Sequence, residues 1–157
     1  MGIIIDSTDK SKLSKLKGIK KKVLVGGCFD ILHAAHIEFL NKAKEQGEIL
    51  IILLENDVRI TKLKGKNRPI NSQVDRAIVL SNLSMVDYVI PLKNVKTDKN
   101  YETLVKMLEP DIIAITRGAP VYNWEQEYVE NTGSRIVEVM DRKPNYSTTE
   151  IAQKIKL

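Results

Sequence analysis

At 157 residues, 43% hydrophobic and 29% charged, the chain is long enough for one domain of roughly 100–200 residues with a real core, and no apolar run nears the ~18–20 residues that span a bilayer. Its single cysteine, Cys28, excludes an internal disulfide framework and a multi-cysteine zinc site. The net charge of +5 resides in residues 1–22, which hold seven lysines and two aspartates, while the 18 basic and 18 acidic residues that follow cancel; with 5% aromatic residues, the interleaved rings of a single-stranded nucleic-acid platform are missing and no nucleic-acid partner is expected.

In chain order, the opening Met1–Asp6 places Asp6 where a myristoylation signal needs Ser or Thr. No secretory n-region and h-region follow, so a cytoplasmic protein with no membrane partner is expected. Residues 10–22 read as a short lysine-rich helix or arm, with Leu13 and Leu16 on one side. The domain proper is expected to run over 23–157. Residues 23–27 form a short apolar run ending in two glycines, a buried strand entering a loop. Residues 33–46 carry Ile37, Leu40 and Ala43 on one helical face, and Gly47 ends the helix. The unbroken aliphatic run 49–54 suits a strand covered on both faces.

Residues 59–70 are basic, contain Gly65 and Pro69, and read as a mobile loop. A helix is expected over 72–83, with Ser72 as N-cap and Asp75 in the first turn. Then come a strand over 86–91, a helix over 99–108 stopping before Pro110, and a strand over 111–115. A helix over 124–131 is followed by Gly133, a strand over 135–140 and a final helix over 147–155.

Five strands alternating with helices imply parallel βαβ units. The expected fold is α/β, a Rossmann-like three-layer α/β/α sandwich with a five-stranded parallel sheet. Ligands of such sheets bind beyond the carboxyl ends of the strands, where the strand order reverses. The loops to inspect are therefore 27–36, 57–71, 117–122 and 142–149.

The first of these reads Gly27-Cys28-Phe29-Asp30-Ile31-Leu32-His33-Ala34-Ala35-His36. Neither common phosphate-binding glycine motif fits it. His33 and His36 are the chain's two histidines, and the i, i+3 spacing puts them on one face at a helix start. Unpaired N–H groups and a partial positive charge there attract phosphate. Imidazoles beside them can donate to phosphoryl oxygens as charge builds. Two ligands without a nearby third do not make a zinc site, so no metal is expected to be held by the protein itself.

This segment resembles the G-x-F-D-x-x-H-x-G-H signature of the cytidylyltransferase-like nucleotidyltransferases, and Ser147-Thr148-Thr149 resembles the group's final S-T-T motif. Lys64-Gly65, Arg68-Pro69-Ile70-Asn71 and Asp75-Arg76 resemble the adenylyltransferase domain of bacterial ADP-heptose synthases, as do the stretches 86–89 and 110–113. The resemblance covers residues 13–155. Arg142, five residues before Ser147, is similar to the arginine of R-T-x-G-I-S-T-T in glycerol-3-phosphate cytidylyltransferases.

The resemblance implies a reaction in which a substrate phosphate attacks the α-phosphorus of a nucleoside triphosphate and pyrophosphate leaves, with Mg²⁺ accompanying the triphosphate. It assigns catalysis to His33, His36 and Lys64. Gly27, Cys28, Phe29, Asp30, Arg76, Arg142, Ser147, Thr148 and Thr149 would bind the nucleotide, and Arg68 and Arg117 the acceptor. A homodimer is implied as well.

The residues also have plainer readings. Lys64 lies among other loop cations, Ser147 with Glu150 makes a capping box, Asp30 can cap a loop, Cys28 can pack, and Trp124 suits helix packing better than base stacking. Two departures stand out: Ala35 replaces the motif glycine, and Arg117-Gly118-Ala119 replaces a glycine-and-acid cluster.

The expected activity is transfer of a nucleoside monophosphate, with ATP as donor and a sugar phosphate such as heptose 1-phosphate as acceptor. The alternatives are cytidylyl transfer to glycerol 3-phosphate, FAD synthesis from FMN, or a nucleotide-binding protein with little turnover.

Overall fold

The computed structural model of the chain describes residues 1–19, 21–93, 97–143 and 148–154. Its elements in chain order are β1 (Ile3–Ile4), α1 (Lys10–Ser14), β2 (Lys22–Gly27), α2 (Ala34–Lys44), β3 (Ile49–Leu54), α3 (Asp57–Lys64), α4 (Gln73–Ser81), β4 (Tyr88–Pro91), α5 (Asp98–Leu108), β5 (Ile112–Thr116), α6 (Asn123–Thr132), β6 (Arg135–Met140) and α7 (Thr148–Lys154). The strands form one parallel sheet in the order β1-β4-β3-β2-β5-β6. From β2 the chain builds outward to β3 and β4, then returns to lay β5 and β6 on the other side. The order thus reverses at β2 and β5.

Period-2 alternation divides the strand side chains between two cores. Leu24, Ile51, Leu53, Ile90 and Ile113 pack with Leu104, Val105, Leu108 and Tyr128 of α5 and α6. Val23, Val25, Leu50, Ile52, Leu54, Val89 and Ala114 pack with Leu40 and Ala43 of α2 and with Ala77 and Leu80 of α4. This is the expected Rossmann-like three-layer sandwich.

The sheet has six strands rather than five. The added strand, β1, lies on the edge beside β4, with Ile3 opposite Tyr88 and Ile4 opposite Val89. Two residues are too few to show a periodicity. The basic segment 59–70 is not a loop throughout: α3 occupies its first part, started by the Asn56 side chain accepting from the Arg59 N–H at 2.9 Å. Few apolar residues mark α3, because it buries Ile60 alone among its residues.

The lysine-rich arm is packed. Ile5, Leu13 and Leu16 are buried in the core beneath α5. Lys22 is 1% exposed; its N–H donates to Asp111 at 2.8 Å, and its ammonium donates to the carbonyls of Leu16 and Ile19. Burial pushes its pKa down, against the pull of Asp111 and Glu109.

Candidate active site

The carboxyl ends of β2, β3, β5 and β6 open on a cavity of about 510 Å³, at the reversal of strand order. Gly26 and Gly27 end β2 and form its floor. Phe29 follows with φ of 44°, which folds its ring back over Gly27. A Cβ at Gly27 would stand 2.6 Å from that ring, so a side chain here would displace Phe29.

His33 is the N-cap of α2 in extended conformation, and its carbonyl accepts from the His36 N–H at 2.9 Å. Its side chain gives no capping hydrogen bond to α2. The two imidazoles stack with centroids 3.8 Å apart, and Phe29 tilts against His36 at 5.3 Å. Burial, then the neighbouring His33 and Lys64, push the His36 pKa down to about 4, although a hydrogen bond to the Ile31 backbone pulls the other way. Burial also lowers His33. Both rings are therefore neutral near pH 7, beside a helix N-terminus suited to an anion.

Cations surround this pair. Lys64, at the end of α3, and Arg142 and Lys143, after β6, line the cavity. Lys143 also pairs with Glu38 of α2. Thr148, the first residue of α7, is buried and lines the cavity too. Ser147 lies outside the described residues, and Thr149 is described by its place in α7 alone. Gly27, Cys28 and Phe29 line the cavity as expected positions. Burial pushes the Cys28 thiol up.

Four expected ligand residues are directed elsewhere. The Asp30 carboxylate is fully buried. It accepts Nε of Arg68 at 2.6 Å and the N–H groups of Ile70 and Asn71. Burial alone would raise its pKa, yet these N–H groups and Arg68 hold it below the usual carboxylate range. Asp30 and Arg68 therefore fasten loop 68–71 to loop 27–33 and do not line the cavity.

Arg76 is 2% exposed and spends its guanidinium on four partners: the carbonyls of Asn71, Cys28 and Glu55, and the Asp57 carboxylate at 2.6 Å. It locks the ends of β2 and β3 to α3 and α4. Arg117 is exposed and pairs with Glu138 and Asp141 on the rim.

One wall escaped the sequence reading. Tyr101 of α5, Trp124 of α6 and Tyr122 line the cavity with Glu55 and Arg59. Tyr101 and Trp124 stack at 6.5 Å, and Trp124 and Tyr122 at 6.4 Å. The Tyr101 hydroxyl donates to Glu55; burial and this carboxylate push its pKa up, so it stays a donor. Trp124 thus faces the cavity as well as the core. The signal in the sequence was the spacing of Tyr122 and Trp124 at a helix start, next to the loop that departs from the motif pattern.

A doubly wound parallel sheet with a helix N-terminus, paired histidines and cations at its switch point makes an α/β domain with an end suited to anions. The chain belongs to the cytidylyltransferase-like family, whose model matches residues 24–154, and is a nucleotidyltransferase. It is 44% identical over 146 residues to the Bifunctional protein HldE of Campylobacter curvus, covering 89% of this chain and 28% of that protein. The Helicobacter pylori protein of the same name is 39% identical over 145 residues, covering 92% and 30%. The chain thus spans under a third of the length of these relatives.

Among solved structures, the lipopolysaccharide core biosynthesis protein of Thermoplasma volcanium matches with a TM-score of 0.61 and 28% identity, over 78% of this chain and 97% of that one. The pantoate-β-alanine ligase of Francisella tularensis shares the fold with a TM-score of 0.61 at 15% identity, over 99% and 77%.

Proposed function

We propose that this domain transfers an adenylyl group from ATP to a phosphorylated sugar of the heptose 1-phosphate class. The observation that carries this reading is the stacked, neutral His33–His36 pair at the start of α2, in one cavity with Lys64 and Arg142. The similarity to HldE proteins and the adenylyltransferase-like residues around Lys64 favour ATP and a sugar acceptor.

An oxygen of the acceptor phosphate attacks the α-phosphorus. The bond from that phosphorus to the bridging oxygen breaks, and pyrophosphate leaves. The substrate brings its own nucleophile, so positioning and charge stabilisation supply the catalysis. His33 and His36 hold the triphosphate and meet the charge that builds on the α-phosphoryl oxygens. Lys64 draws the two reacting phosphates together. Arg142, Lys143 and Thr148 receive the departing pyrophosphate.

Mg²⁺ would accompany the triphosphate and neutralise its oxygens. Among the described residues no group of three His, Cys, Asp or Glu side chains could hold a metal ion. Among them, too, no helix is long and apolar enough to cross a membrane.

The test is a matrix of ATP, CTP, GTP and UTP against heptose 1-phosphate, glycerol 3-phosphate and FMN, read as pyrophosphate. Release with ATP and heptose 1-phosphate, lost in His33→Ala and His36→Ala, is expected. No release with any pair overturns the reading. Arg142 on the cavity wall favours a second reading, cytidylyl transfer to glycerol 3-phosphate, and the same matrix separates the two.

A further inference from the structure

We infer that Arg59, clamped by Glu55 and Tyr101, together with the ring of Trp124, forms the subsite that selects the acceptor, taking its phosphate on the guanidinium and its sugar ring on the aromatic wall. This inference rests on the transfer reading above and adds residues that reading does not use.

Direction comes first. In an in-line displacement the nucleophile enters opposite the leaving group. Arg142, Lys143 and Thr148 lie at the β6–α7 side of the cavity, so an acceptor opposite the pyrophosphate enters from the β3–β4 side. The sheet order puts β6 and the β3–β4 pair on opposite sides of β2. Arg59, Lys64 and Tyr101 stand on that second side, on α3 and at the start of α5, and Trp124 of α6 joins them through its stack on Tyr101.

Preorganisation comes next. Nε of Arg59 is 3.4 Å from Glu55, and its guanidinium carbon is 5.1 Å from the Tyr101 ring centroid. The Glu55 carboxylate is mostly buried, and it also accepts the Asn56 N–H, the Asn56 amide and the Tyr101 hydroxyl. It is therefore a fixed strut. A guanidinium held along one edge and one face loses little freedom when its fork meets phosphate oxygens. Beside it, the Trp124 ring, stacked on Tyr101, offers an apolar face and a fixed orientation. An anion next to an aromatic face describes a phosphorylated sugar better than a bare inorganic phosphate.

Trp124 is the chain's single tryptophan, so its emission reports this subsite without interference. Heptose 1-phosphate should shift that emission saturably in the whole chain, and the Mg²⁺ complex of ATP alone should not. Arg59→Met should weaken the titration and raise the acceptor KM by roughly tenfold or more, as loss of a charge-assisted fork does, while the ATP KM stays within about twofold. Arg59→Lys keeps the charge and controls for folding; it should give an intermediate KM. If Trp124 emission answers ATP and not the sugar phosphate, the wall belongs to the nucleoside and the inference is overturned. If turnover proceeds with an acceptor whose KM Arg59→Met leaves unmoved, the subsite is overturned while the transfer reading stands. Silence to every phosphorylated acceptor in both emission and turnover overturns both.

Discussion

The imidazole rings of His33 and His36 lie 3.8 Å apart and 18° from parallel. Two charged rings could not share that spacing cheaply, and His33 thus adds to the burial that lowers the His36 pKa. A triphosphate placed against them would supply a counter-charge.

That relationship gives a pH dependence. The His36 pKa falls from 6.5 to about 4 on folding. Between these values the unfolded chain holds a proton at this position and the folded chain does not, so stability falls as pH drops through the window. Denaturant midpoints from pH 7 to 4 should decline, and His36→Gln should flatten the decline. Triphosphate binding near pH 5.5 should take up protons, which calorimetry in buffers of different ionisation enthalpy detects.

Replacing either imidazole should separate binding from turnover. His33→Ala and His36→Ala should lower kcat by roughly a hundredfold or more, the scale on which a removed transition-state donor acts. Lys64→Met should act mainly on kcat as well, and thermal melts of Lys64→Met and His33→Ala should stay near that of the parent chain because neither side chain is a core residue.

The Asp30–Arg68 pair should behave in the opposite way. Both side chains are buried, Asp30 completely and Arg68 at 7% exposed. Arg68→Met leaves a buried carboxylate without its cation and should cost about 3–5 kcal/mol, read as a reduced denaturant midpoint. Activity should fall with the folded fraction. An Arg68→Met protein that is fully stable yet has a raised acceptor KM would return Arg68 to the substrate.

How much of this the sequence carried follows from what kind of signal each part leaves. The aliphatic run 49–54 and the histidine spacing are local patterns, and β3 and the α2 N-terminus appear where those patterns put them. Strand β1 and helix α3 left no clear pattern, one too short and the other burying a single side chain. Asp30, Arg68 and Arg76 show how charge misleads: a sequence records that a side chain is ionic, and burial decides whether it meets a ligand or a loop. The Tyr101–Trp124–Glu55–Arg59 wall is assembled from three separate segments, and packing alone brings them together.

Ala35, where the motif has glycine, lines the cavity in the first turn of α2. The helix has already begun there, so the backbone conformation does not demand glycine. Ala35→Gly should lower stability by up to about 1 kcal/mol through backbone entropy and leave turnover within a few-fold. A large gain in turnover would mean that the methyl group crowds the nucleotide.

The buried Lys22 ammonium offers a check on the N-terminal segment. Lys22→Met strands the carbonyls of Leu16 and Ile19 and should cost about 1–3 kcal/mol. Hydrogen exchange should then quicken in α1 before it does in β3.

Leu24, Leu53 and Ile113 belong to the core beneath α5 and α6, Phe29 and Ala114 belong to the core beneath α2 and α4, and all five border the same cavity. An occupant is therefore mortar between two walls: it presses on both helical layers at once. Saturating nucleotide should raise the melting temperature of the whole domain as a single transition, and an acceptor held at the proposed Arg59–Trp124 subsite should add a further increment.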